Sequence, residues 1–162
     1  MPKPDYDVRV KPSILDRLLD PDPGNPRDPV SSRAESVQIL KAAVQRDLEE
    51  LLNTRSSLQA LPPGYVEVPR SVWAYGLPDF SSVNISSATG RARLQELIEN
   101  AVRHFEPRLT GVSVTLIPRE PNERMLRFSV DAKLILQPSP EPVSFNMVMQ
   151  LNNQEYQVKD IE

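Results

Sequence analysis

Cysteine is absent from this 162-residue chain, histidine occurs once and glycine only five times. Without thiols there is no disulfide, no thiolate nucleophile and no cysteine metal site, which fits a reducing compartment. The few glycines build no phosphate-cradling loop and no G-x-S-x-G elbow, and a lone histidine forms no H-E-x-x-H pair. The net charge of -3, with no long basic run, lacks the electrostatic footprint of a dedicated nucleic-acid binder. No stretch of about 18 apolar residues is present, so no spanning helix is expected, and MPKPDYDVRVKP has no signal-peptide core. These absences predict a soluble, cytoplasmic protein without cofactor or metal, whose partners are other proteins.

Proline, by contrast, is abundant. The 17 prolines are clustered, and the gaps at 30–61, 79–106, 122–137 and 143–162 are where regular structure can form. In SILDRLLDPDPGNPRDP, Ser13 and Asp16 read as a capping box, Ile14, Leu15, Leu18 and Leu19 share a face, and Pro21 ends the helix. The segment from Pro21 to Pro29 reads as an exposed loop. Ser32 and Glu35 then start a helix that reaches about Thr54, with Val37, Leu40, Val44, Leu48, Leu51 and Leu52 at three- and four-residue steps. Its opposite face, with Lys41, Arg46, Asp47, Glu49 and Glu50, reads as solvated.

Between Leu61 and Ser87 there is little period. SVWAYGLPDFSS predicts a loop that turns at Gly76-Leu77-Pro78-Asp79 and is pinned to the core by Trp73, Tyr75 and Phe80. From Gly90 a third helix places Leu94, Leu97, Ile98, Ala101, Val102 and Phe105 on one stripe, with His104 at its border as a rim residue. After Gly111 the period becomes two. Val112, Val114 and Leu116, then Leu126 to Leu136, then Val143 to Leu151 alternate apolar with polar, giving three strands with one wet face. The connections PREPNER and PSPEP are short enough for antiparallel hairpins. The fold class is therefore α+β, with about three helices on one face of a mainly antiparallel sheet of three or more strands. Residues 1–30 carry the short helix and Pro-rich loop, and 31–162 form one α+β domain.

Between the third helix and the first strand stands Glu106-Pro107-Arg108. Proline stops the helix and fixes its own φ, so the two charges leave a rigid helix end in restricted directions. Such a pair can serve as a docking connector, since an arginine fork suits a carboxylate and rigid presentation lowers the entropy cost of binding. The plainer alternative has Arg108 neutralising the last helix carbonyls and Glu106 solvated. A carboxylate pair could hydrolyse glycosides, but nothing singles out a pair among 22 acidic residues.

Four stretches, SILDRLLD, LKAAVQRDLEELLNTR, SVWAYGLPDFSS and LQELIENAVRHFEPRLTGVSV, appear in an order that resembles the TssE family. These are the lysozyme-like baseplate wedge proteins of type VI secretion systems, related to wedge subunits of contractile phage tails. The Tyr75-Gly76-Leu77-Pro78-Asp79 turn and the F-E-P-R-L junction are the sharper signals. The resemblance implies a non-catalytic role: assembly with other wedge subunits at the cytoplasmic face of the inner membrane, and help in starting contractile sheath polymerisation. It places Glu106, Pro107 and Arg108 at the contact with those subunits. It also implies contractile sheath subunits as partners, and the strand from Val143 to Leu151 could supply edge groups for strand addition. Neither nucleic-acid binding nor membrane insertion is expected. The alternatives are a lysozyme-like peptidoglycan hydrolase and an unrelated protein-binding α+β module.

Overall fold

The structure, a computed structural model, describes residues 13–19, 33–57, 64–80, 83–117, 125–150 and 155–158. Helix α1 spans Ile14–Leu18, α2 Arg33–Asn53 and α3 Ala88–Phe105. The strands are β1 Leu109–Leu116, β2 Met125–Leu134, β3 Glu141–Gln150 and β4 Tyr156–Val158, in one antiparallel sheet of order β1-β2-β3-β4. The α+β class expected from the periodicities is what forms. The Pro21–Pro29 loop and the Ser32 cap lie outside the described residues.

Each helix follows from its sequence. Ser13 Oγ accepts the Asp16 N–H and the Asp16 carboxylate accepts the Ser13 N–H, the reciprocal box predicted for α1. Helix α3 begins two residues before Gly90, because the Ser87 hydroxyl caps it by accepting the Gly90 N–H at 3.0 Å. All six apolar residues predicted for the α2 stripe are buried. They join Leu94, Ile98 and Val102 of α3 and the inward side chains of the sheet, among them Phe128, Val130, Phe145 and Met147, in one core. Removing one such side chain, as in Leu48→Ala, costs about 2–5 kcal/mol.

The first strand starts earlier than the alternation suggests. Leu109 and Val112 are both buried although three residues apart, which a period of two forbids. The register explains this: Thr110 pairs with Lys133 and Ser113 with Asp131, so β1 uses three residues where β2 uses two. The extra residue is a bulge at Gly111, whose φ of +64° suits glycine. Pro142, which reads as part of a turn, pairs with Lys133 inside β3. Since the Gln150 N–H points to the β4 side, the even-numbered residues of β3 do so too, and the missing N–H of Pro142 costs no bond to β2. The strand from Val143 onward is not terminal in the sheet. It has β2 along one side and β4 along the other over Met147–Met149.

Candidate docking site at the E-P-R junction

Helix α3 ends where proline demands. The Glu106 N–H still donates to the Val102 carbonyl at 2.9 Å, Pro107 leaves the helix, and the Leu109 N–H returns to the Glu106 carbonyl at 3.2 Å as β1 begins. The chain reverses around the Glu106 side chain. Its carboxylate accepts the Arg108 N–H at 3.0 Å and Arg108 Nε at 2.7 Å, and a further bond comes from Arg108 Nη2.

Neither sequence alternative describes Glu106 fully. It is 4% exposed, so it is not solvated, and its two oxygens are taken by the fork of Arg108 across the exposed proline. Arg108 carries a second partner, Asp47 of α2, whose Oδ2 accepts from Nη2 at 2.5 Å. The bond to Glu106, with Asp47 adding to it, raises the guanidinium above its ordinary value although burial opposes this.

The pairing continues. Asp47 Oδ1 accepts from Arg46 Nε at 2.9 Å and Nη2 at 2.7 Å, and Arg46 Nη2 reaches Asp16 of α1 at 2.8 Å. Glu106, Arg108, Asp47, Arg46 and Asp16 thus form an alternating chain of charges from the β1 junction across α2 to α1. Arg46 and Asp47 read as part of a solvated face, and so does Lys41, which bonds Glu141 at 2.7 Å. The available signal was their place beside Leu48 at the margin of the apolar stripe. Their partners lie 30 and 61 residues away, beyond any local pattern.

Burial pushes the Asp16 carboxyl upward, but hydrogen bonds from Ser13 and Arg46 outweigh it and hold the group below the usual carboxylate range. Helix α1 is inverted relative to its sequence pattern. Its polar Asp16 turns toward the domain, while Ile14 and Leu18 are 79% and 76% exposed and Leu15 and Leu19 are also exposed.

The loop motif comes to the same end of the molecule. Two short 3₁₀ turns, Val68–Arg70 and Val72–Ala74, lead into it. Tyr75 packs edge-on against Phe105, the residue before Glu106, with ring centroids 5.3 Å apart. Burial, reinforced by the negative charges of Glu50, Asp47 and Glu106, pushes the Tyr75 hydroxyl up. Gly76 has φ +101°, and a Cβ there would stand 2.3 Å from the Thr54 carbonyl oxygen, so this turn admits glycine alone. Leu77 is buried, its N–H donating to Thr54 O and its carbonyl accepting from Ser56 N–H, both at 2.9 Å. Pro78 is half-buried, and Asp79 pairs with Arg55 on the surface at 3.3 Å.

Of the three rings expected to pin the loop, Tyr75 and Phe80 do so, whereas Trp73 is 70% exposed beside an exposed Val72. The 3₁₀ turn sends those two side chains outward. His104 is an exposed rim residue with Nδ1 2.7 Å from the Asn100 carbonyl. Among the described residues no group of three or more His, Asp or Glu side chains is arranged to hold a metal, and no helix is long and apolar enough to cross a membrane.

The family model for baseplate wedge protein gp25 matches residues 38–139, a span that holds both the loop motif and the E-P-R junction. A solved chain from the baseplate complex of the type VI secretion system is similar at 20% identity and a TM-score of 0.47, covering 70% of this chain and 96% of that one. Comparison with curated proteins finds no match. The family match bears out the wedge resemblance carried by the sequence motifs: the chain belongs to the baseplate wedge protein gp25 family, whose members are structural baseplate components.

Proposed function

We propose that this protein is a non-catalytic wedge subunit of a type VI secretion baseplate. It assembles with other wedge subunits and helps to start contractile sheath polymerisation at the cytoplasmic face of the inner membrane. The observation that carries the reading is a family match spanning a junction with no slack. Arg108 is tied at both ends of its fork, so exposed Pro107 is presented in one geometry. A preordered surface loses little entropy on docking, as a permanent assembly requires.

In this reading Glu106 and Arg108 shape the docking surface from within, and partner subunits meet Pro107 and the accessible edge of Arg108. The exposed apolar side chains of α1 and the Val72-Trp73 tip add contact area of the kind that assembly buries. Sheath seeding by strand addition is supported by β3, whose described pairing with β4 stops at Met147 while the strand runs back to Glu141.

Co-purification with the other wedge subunits tests this, using wild type and an Arg108→Ala variant whose fold is verified by circular dichroism at the working temperature. Retention of wild type and loss of the variant supports docking at the junction. Retention of both removes the junction from the interface, and retention of neither at low and moderate salt ends the wedge assignment.

A further inference from the structure

Among the described residues both outer strands of the sheet carry backbone groups that no strand takes up, and on each strand helix side chains take two of them. On β1 the Ile117 N–H donates to Arg127 of β2 at 2.8 Å, so by alternation Val112, Val114 and Leu116 turn their backbone groups outward. Arg103 Nη2 donates to the Val112 carbonyl at 3.1 Å, and Glu99 Oε1 accepts the Val114 N–H at 2.9 Å. The two side chains, one turn apart on α3, are joined at 2.8 Å.

A carbonyl and an N–H two residues apart are what one residue of a parallel neighbour would engage, so the ion pair stands where a strand could. On β4 the Asn53 side chain accepts the Tyr156 N–H at 2.8 Å and donates to the Tyr156 carbonyl at 3.0 Å. There it bonds both groups of a single residue, as an antiparallel neighbour does.

A surface ion pair four residues apart on a helix contributes only about 0.3–0.5 kcal/mol; here Arg103 is half exposed and Glu99 mostly covered, and helix stability alone is a weak reason for this arrangement. Unpaired edges are a hazard that proteins block with charges and covering side chains. Beyond the pair an open groove of about 330 Å³ continues between α3 and β1, lined by Ala88, Arg91, Ala92, Gln95, Thr115 and Leu116.

We propose that Glu99 with Arg103, and Asn53, are edge guards that close the outer strands to pairing with a second copy of this chain. The inference stands apart from the wedge reading, since it concerns the free protein. Backbone amide exchange and sedimentation velocity on the full chain test it. Glu99→Ala should speed exchange at Val114 by about tenfold or more, the loss of a bond to a charged acceptor, while Glu99→Gln, which keeps an acceptor, changes it far less. The Glu99→Ala/Arg103→Ala variant should form concentration-dependent dimers where wild type is monomeric. Adding Leu116→Pro, which removes an outward N–H without touching the β2 ladder, should restore the monomer. Asn53→Ala should likewise release the Tyr156 amide.

The proposal is overturned by a folded double variant that stays monomeric up to its solubility limit, by dimers indifferent to Leu116→Pro, or by wild-type dimers that Leu116→Pro abolishes. Should the double variant misfold, Arg103→Ala alone, on an exposed side chain, decides by the same dimerisation measurement.

Discussion

Arg108 shows how one side chain can define a junction. It closes a ring with Glu106 through its own backbone N–H and its fork, then ties that ring to α2 through Asp47. Truncating it leaves a buried carboxylate without its counter-charge, holding only the backbone N–H of residue 108, so Arg108→Ala is expected to lower unfolding stability in urea by about 3 kcal/mol, the low end for a broken buried pair because Arg108 is itself partly exposed. Tyr156 makes the opposite case. Its ring is buried between Phe80 and Phe128, burial pushes its hydroxyl well up, and among the described residues that oxygen has no hydrogen-bond partner. Tyr156→Phe is expected to raise stability by about 1 kcal/mol in the same titration, since it removes an unsatisfied polar group and keeps the ring.

At the scale of elements, α1 and the β1 bulge carry the testable consequences. Helix α1 buries none of its side chains and meets the domain through the Asp16–Arg46 ion pair. A carboxyl held below its unfolded value stabilises the folded form above about pH 4, and that contribution is lost as pH falls through the folded value. Lowering the pH below about 4 should therefore release α1, seen as loss of the amide shifts of Leu15 and Leu18 from their folded positions, and Asp16→Asn should release it at neutral pH. In the bulge, Gly111 has open space around a would-be Cβ but a left-handed backbone. Gly111→Ala should cost about 1 kcal/mol and Gly111→Asn less, because Asn tolerates that region, with thermal unfolding as the measurement.

For the whole molecule, α2, α3 and the sheet share one core, α1 is tied to it by the Asp16–Arg46 pair, and the E-P-R junction meets the Y-G-L-P-D loop through Tyr75 and Phe105. The wedge reading treats that junction as a docking surface and assigns the molecule no chemistry of its own. Purified protein should clear cell-wall suspensions no faster than buffer at any pH from about 4 to 8, the range over which ordinary and raised carboxylates titrate. Clearing above buffer would move the peptidoglycan hydrolase reading to the front.

By itself the sequence determined most of the elements, though not β4 or the two 3₁₀ turns. Three- and four-residue spacing marked α2 and α3, a two-residue period marked β1 to β3, Ser13 with Asp16 marked the start of α1, and Pro107 marked the end of α3. These are local patterns in which each residue constrains neighbours within one turn or one pleat, so no knowledge of the fold is needed. Tertiary structure alone decided that Glu106 is buried, that Arg46 and Asp47 link α1 to the junction, that Trp73 points outward while Tyr75 points in, and that helix side chains bond backbone groups on both outer strands of the sheet. Each of those outcomes depends on which groups a packed backbone brings within about 3 Å, and charges tens of residues apart leave no periodic trace of their meeting.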